Sequence, residues 1–211
     1  MNERRIQRTI ENIACRWEGV DRRMLLPIFP LLAEGRPVPL DVLGVPGRHS
    51  PAEVHGQLVL AGADFDGVGC VVGLGGIALA GGSHRVTLGD TSLFTCCAIT
   101  AHTVSILLGR PTIIRSRDPV SGGGVLLNVD GETVRNSDPT DSMATFIPLD
   151  VPQKLPGLSE RFCNYVRYFE GARTASAYET GSQPFILLNP FQVHDAAKLW
   201  VKLVFGLETL Q

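Results

Sequence analysis

An α+β fold is what the sequence predicts, and three observations carry that prediction. Helical spacing of apolar residues opens the chain, strand-length apolar segments cluster from His84 onward, and a second amphipathic helical pattern closes it. Glycine and proline punctuate the first third so often that its helices must be short.

Residues 2–17 place Ile6, Ile10, Ile13, Ala14 and Trp17 on one helical face, with arginines and glutamates between them, as a docking helix requires. RRMLLPIFPLLAEGRPVPLDVL carries two prolines in its apolar run, which predicts a short helix restarting near Pro30 and stopping at Gly35. In SPAEVHGQLVLAGA, Ser50 stands three residues before Glu53 with Pro51 at the first helical position, the pattern of a capping box. DFDGVGCVVGLGG then reads as a glycine-rich hairpin. Together these segments predict a winged-helix-like region over residues 1–82, and residues 83–211 a core domain.

HRVTL, a Gly-Asp turn and SLFTC read as two strands, followed by a buried helix from Ala98 to Leu108 closed by Gly109. PTIIRS and GVLLNVDG are strands separated by the loop RDPVSGGG, and MATFIPL is another strand. LSERFCNYVRYF fits helix or strand, ARTASAYETGS a short helix, and PFILL a buried strand. FQVHDAAKLWVKLVFG is a closing amphipathic helix with Val193, Ala197, Trp200, Val201 and Val204 inward.

At 211 residues and 44% hydrophobic, the chain can bury a core without disulfide staples. A net charge of −2, and seven arginines against five acids over residues 1–36, leave no footprint for phosphate binding, so nucleic acid is not an expected partner. The N-terminal stretch lacks the apolar run of a signal peptide, and VGCVVGLGGIALAGG is too short and glycine-rich for a bilayer span. The expectation is a cytoplasmic protein with no membrane partner. In that compartment Cys15, Cys70, Cys96, Cys97 and Cys163 should be thiols.

Cys97 falls at the first turn of the Ala98–Leu108 helix, where free backbone N–H groups and the helix dipole favour a thiolate. Thr100 lies on the same helical face and His102 well off it. A helix-start cysteine is equally explained as a small buried hydrophobe, and the neighbouring Cys96 should point away from Cys97. No C-x-x-C or H-x-x-x-H spacing suggests zinc. Gly122 to Gly124 read as a plain loop, and His194–Asp195 as a solvated or capping pair.

FTCCAITAHTVSILLGRPTIIRSRDPVSGGGVLLNV resembles the core of the organomercurial (alkylmercury) lyase family, in which a strand leads to a Cys-Ala-Leu-Asp run, a buried helix and a Gly-Arg ending. RFCNYVRYFEG is similar to that family's second cysteine segment, and LLPIFPLLAEGRPVPLDVL to its N-terminal winged-helix-like region, with the run Gly35 to Val38 intact. The resemblance implies the fold of those enzymes and assigns the two mercury-binding cysteines to Cys97 and Cys163. It places the family's carboxylate on Thr100, its preceding tryptophan on Cys96, a structural cysteine on Asp118, and reduces a cysteine doublet to Cys163-Asn164.

The implied chemistry is protonolysis of a carbon–mercury bond: two soft thiolates take the metal and an acid protonates the leaving carbon. The implied substrate is a small organomercurial or another organic compound, no cofactor is required, and Hg²⁺ or another soft metal is held by Cys97 and Cys163. A threonine hydroxyl is no acid at neutral pH, so the resemblance implies reduced or altered lyase efficiency, with Cys96 or a bound thiol supplying the proton. Two alternatives stand beside it: a repurposed enzyme of specialised metabolism using Cys97 and Thr100, and a protein that holds Hg²⁺ or Cu⁺ without turnover.

Overall fold

The computed structural model describes residues 2–43, 50–151, 158–180 and 183–207. Helix α1 (Asn2–Ala14) turns Thr9, Ile10 and Ile13 inward and its charges outward, as their spacing dictates. A 3-10 turn, Cys15–Trp17, then drives Trp17 into the core. Two short helices follow, α2 (Arg22–Leu25), capped by the Asp21 carboxylate on the Arg23 N–H, and α3 (Ile28–Leu32) after Pro27. Helix α4 (Pro51–Leu60) begins with the expected capping box: the Ser50 hydroxyl accepts from the Glu53 N–H and the Glu53 carboxylate from the Ser50 N–H.

Strands β1 (Asp64–Phe65) and β2 (Val71–Leu74) form the expected hairpin, and β3 (Ile77–Ala78) folds back antiparallel on β2. Next come β4 (His84–Leu88) and β5 (Thr91–Thr95), helix α5 (Ala98–Leu108), then β6 (Thr112–Arg117), β7 (Gly124–Val129) and β8 (Val134–Asp138). These strands make one antiparallel sheet in the order β1-β2-β3-β5-β4-β6-β7-β8. Because β3 pairs with β5, the sheet passes without a break across residue 82. Strand β9 (Met143–Phe146) is the middle of a second, three-stranded sheet.

LSERFCNYVRYF resolves into α6 (Leu158–Arg161), a 3-10 turn Cys163–Tyr165 and strand β10 (Tyr168–Phe169), which pairs with β9. After α7 (Ala172–Ser176), strand β11 (Ile186–Leu188) takes the other side of β9. Helix α8 (Pro190–Phe205) starts at an Asn189–Gln192 capping box and ends at left-handed Gly206. The architecture is α+β. Among the described residues no helix is long and apolar enough to cross a membrane.

Helix α5 is the centre of the molecule: every residue from Ala98 to Leu107 is buried, between the large sheet and α8. Trp200 and Phe205 of α8 meet Trp17 edge-on at 5.9 and 5.8 Å, which anchors the turn after α1 against α8. The expectation for His194 is corrected here. It is buried and meets His102 with Nδ1 atoms 3.2 Å apart, while His102 Nε2 lies 2.5 Å from the Tyr168 hydroxyl. The physical reason is that α5 has no solvent face, so its polar side chains are satisfied by polar groups on the elements that cover it. Asp195 remains exposed.

Candidate functional site: a three-thiol centre at the entrance of α5

Cys96 and Cys97 form the elbow between β5 and α5. Cys97 is the residue before the first helical turn and has extended backbone, φ −143° and ψ 165°. The Cys96 N–H donates to the Gly76 carbonyl at 3.0 Å, and the Ala98 N–H, unsatisfied within α5, donates to the Val166 carbonyl at 2.9 Å. That second bond ties the start of α5 to the turn carrying Cys163, although the cysteines are far apart in the chain.

The three sulfurs of Cys96, Cys97 and Cys163 all lie within 4.8 Å of one another. The Thr100 hydroxyl, one turn into α5, is 3.1 Å from Cys97 Sγ and 3.6 Å from Cys96 Sγ. Cys96 was expected to diverge from Cys97, and the geometry corrects this. Divergence holds along a straight strand, whereas at a strand-to-helix elbow both side chains swing to the inside of the bend. Gly76 makes room for the swing: with φ +83°, a Cβ there would stand 2.5 Å from Cys96 Sγ and 3.5 Å from the Thr100 side chain.

Cys97 is 2% and Cys163 8% exposed, so one negative charge among the sulfurs is tolerable and three are not. The charge belongs to Cys97. Hydrogen bonds from Cys163 and then Cys96 hold it well below the ordinary thiol range against the opposing effect of burial, with help from the Thr100 hydroxyl. Cys163 is pushed well above that range by its bonds to Cys96 and Cys97 and by burial. For Cys96 the Cys163 contact pulls downward, but the Cys97 bond, burial and the Cys97 charge carry it up to about 12. The arrangement favours a thiolate on Cys97 over one on either neighbour, with the Thr100 hydroxyl beside it.

A cavity of about 40 Å³ opens onto Cys97, Thr100 and Cys163, with apolar walls from Ile10, Ile13, Ile99, Phe162 and Trp200. Arg16 also lines it. Its guanidinium donates to the Ala61 carbonyl at 3.3 Å and lies over the Trp17 ring, and its Nε is buried without a hydrogen-bond partner among the described residues. Burial lowers the Arg16 pKa while negative charge developing among the sulfurs raises it, so the cation and the sulfur cluster feel one another across the cavity.

Cys97, Cys163, Thr100 and Cys96 are thus brought together, and His102 is turned away toward α8. Arg16 and Gly76 escaped sequence reading. The arginine is one of several on an amphipathic segment, and the glycine one of many in a glycine-rich run. Asp118 anchors a loop: its carboxylate accepts from the N–H groups of Val120, Ser121 and Glu170 at 2.8, 3.2 and 2.9 Å, joining the β6–β7 loop to the end of β10.

An α+β scaffold that gathers three thiols at a helix entrance, beside a small apolar cavity, has a side-chain cluster that could hold a soft metal ion. Residues 77–204 match the family described as MerB, alkylmercury lyase, and the chain belongs to that family. It is 29% identical over 152 residues to an alkylmercury lyase of Staphylococcus epidermidis, covering 71% of this chain and 68% of the relative. It is 28% identical over 170 residues to one from Pseudomonas putida, covering 80% and 78%. The crystal structure of the mercury-bound form of MerB2 shares the fold, with a TM-score of 0.73 at 16% identity over 94% of this chain and 98% of that one.

Proposed function

We propose that the protein cleaves carbon–mercury bonds with a thiol standing where a carboxylate would otherwise serve as acid. The observation that supports this reading is the cluster of three sulfurs within 4.8 Å of one another, with Cys97 and Cys163 opening onto a small cavity and the Cys97 thiol the one whose pKa is lowered. The Cys97 thiolate attacks mercury of R–Hg–X and expels X⁻, giving R–Hg–S bound to Cys97. As Cys163 sulfur joins the metal, its proton must leave. Cys96, within 4.8 Å of both other sulfurs, gives its own proton to the departing carbon and takes up the proton of Cys163. The products are R–H and Hg²⁺ held by Cys97 and Cys163, so atoms and charge balance.

Thr100 serves as a positioning residue, since its hydroxyl lies near both Cys97 and Cys96 sulfur and orients them without carrying a proton to carbon. Arg16 offsets the negative charge that attack requires in an apolar cavity. Because thiols this far raised are weak acids, the reaction is slower than a carboxyl-assisted one. The substrate that suits the cavity is a small organomercurial.

A second reading, retention of Hg²⁺ or Cu⁺ without turnover, is favoured by the same burial of three sulfurs and the same weak acidity. Incubation with phenylmercury and measurement of benzene separates the two. The lyase reading expects stoichiometric benzene above background and its loss in Cys97→Ser. Mercury bound through the sulfurs with no benzene released would leave the metal-holding reading in its place.

A further inference from the structure

We infer that the Cys96, Cys97 and Cys163 sulfurs form a binding site for trivalent arsenic, taken up as arsenous acid into a pyramidal three-thiolate complex. The inference goes beyond carbon–mercury chemistry and does not depend on it.

The geometry supplies the first reason. Hg²⁺ is satisfied by two thiolates in a line, and for that purpose Cys97 and Cys163 suffice. Trivalent arsenic forms three As–S bonds directed to one side of the atom, with its lone pair on the other. The three sulfurs here make a triangle with no edge longer than 4.8 Å, two corners from the β5–α5 elbow and one from the Cys163–Tyr165 turn. The backbone bond between Ala98 and Val166 fixes the third corner against the other two, so the ligand set is assembled before any ion arrives.

Charge supplies the second. A buried site disfavours net charge, and three thiolates on As(III) are neutral, whereas on Hg²⁺ they carry one negative charge and on Cu⁺ two. Zn²⁺ with the same three would also be anionic and would want a fourth ligand. The described residues that could join a metal group here are the three cysteines alone, with no histidine or carboxylate among them. The group best matched to three sulfurs, no further donor and a poorly hydrated surround is a trivalent ion whose three-thiolate complex is neutral.

The balance is simple. As(OH)₃ and the three thiols give As(S-Cys)₃ and three waters. Three As–O bonds are exchanged for three As–S bonds, each thiol proton leaves with a hydroxide as water, and nothing is oxidised or reduced. The Thr100 hydroxyl, near the Cys97 and Cys96 sulfurs, is placed to hydrogen-bond the first hydroxide as a thiol proton converts it to water.

Titration of the reduced, full-length protein with arsenite, followed by sulfur-to-arsenic charge-transfer absorption and by X-ray absorption at the arsenic edge, tests this. The expected result is one arsenic per chain bound to three sulfurs. In Cys96→Ser arsenite affinity should fall at least about a hundredfold while Hg²⁺ is still held by two sulfurs. A Cys15→Ser, Cys70→Ser double variant should bind as wild type does, since those free thiols lie outside the cluster. Arsenic with two sulfurs and an oxygen in wild type, undiminished affinity in Cys96→Ser, or loss of binding in the Cys15, Cys70 variant would each overturn the inference. If Cys96→Ser does not fold, the sulfur count in wild type decides alone.

Discussion

Replacing Thr100 with aspartate puts a carboxyl where the hydroxyl now stands, 3.1 Å from Cys97 Sγ and 3.6 Å from Cys96 Sγ. Burial and the neighbouring Cys97 charge both oppose ionisation of the new group, so it waits protonated near neutral pH, the form needed to donate to carbon. A positioned acid contributes about 10²–10⁴-fold to such a step. The thiol it replaces is held up near 12, and thus supplies only a small part of that factor. Thr100→Asp should therefore release hydrocarbon at least about tenfold faster, roughly 1.4 kcal/mol of barrier. Single-turnover benzene release from phenylmercury, measured beside mercury binding for both proteins, reads the change. The same substitution should make Cys96 dispensable: Cys96→Ser slows wild type but leaves the Thr100→Asp background nearly untouched, a coupling that a double-mutant cycle reports. If Thr100→Asp binds mercury as wild type does and yet releases no more benzene, proton delivery is not what limits this site and the proposed chemistry is mistaken.

Alkylation by iodoacetamide should lose its low-pH phase in Cys97→Ser, whereas Cys96→Ser retains it; equal effects of the two would mean the thiolate is misassigned. Gly76→Ala forces a Cβ to within 2.5 Å of Cys96 Sγ at a positive φ, and should cost about 1–3 kcal/mol in urea denaturation and weaken mercury binding; a neutral result would show that the elbow is not tightly held. His84 is neutral in the fold because burial pushes its pKa down to about 4. Its unfolded value is near 6.5, so the unfolded chain binds the extra proton first and stability falls as pH drops from about 6.5 to 4, by about 3 kcal/mol in all. His84→Gln, which can keep the bond to Ser116, should flatten that slope, and an unchanged slope would assign the acid sensitivity elsewhere.

Elements whose determinants are local were legible in the sequence. The capping box at Ser50, the buried run Ala98–Leu108 closed by left-handed Gly109, and the five inward residues of α8 each follow from spacing within a few positions. Strand β8, VRNSD, was not legible, because an edge strand with mostly exposed side chains carries no apolar alternation. LSERFCNYVRYF stayed ambiguous because it is three short elements held by partners elsewhere, Val166 by Ala98 and Tyr168 by Ala144. In the site, Cys97 and Thr100 share a helical face that spacing alone reveals, but the approach of Cys163 depends on a tertiary hydrogen bond and was inferred through the family resemblance. His194 was misread because an amphipathic pattern marks where polar residues are expected to meet water, not where a neighbouring buried helix demands a polar partner.

Positions 96 and 100 are best understood as a pair. Each departs from what the family resemblance leads one to expect, and in the fold they touch, through Cys96 Sγ and the Thr100 hydroxyl at 3.6 Å. A carboxylate at 100 beside a thiol at 96 and a thiolate at 97 would crowd acid groups into a space that tolerates one negative charge, whereas a hydroxyl adds no charge and can orient both sulfurs. The threonine therefore sits beside a third thiol without adding charge, and the glycine at 76 gives that thiol its room. In the proposed reading the hydroxyl stands where a stronger proton donor would, beside a third potential soft ligand. On the proposed chemistry the weak acid slows protonation of the leaving carbon, and the extra sulfur separately slows departure of the bound ion, so Thr100→Asp should speed the first step and Cys96→Ser the second.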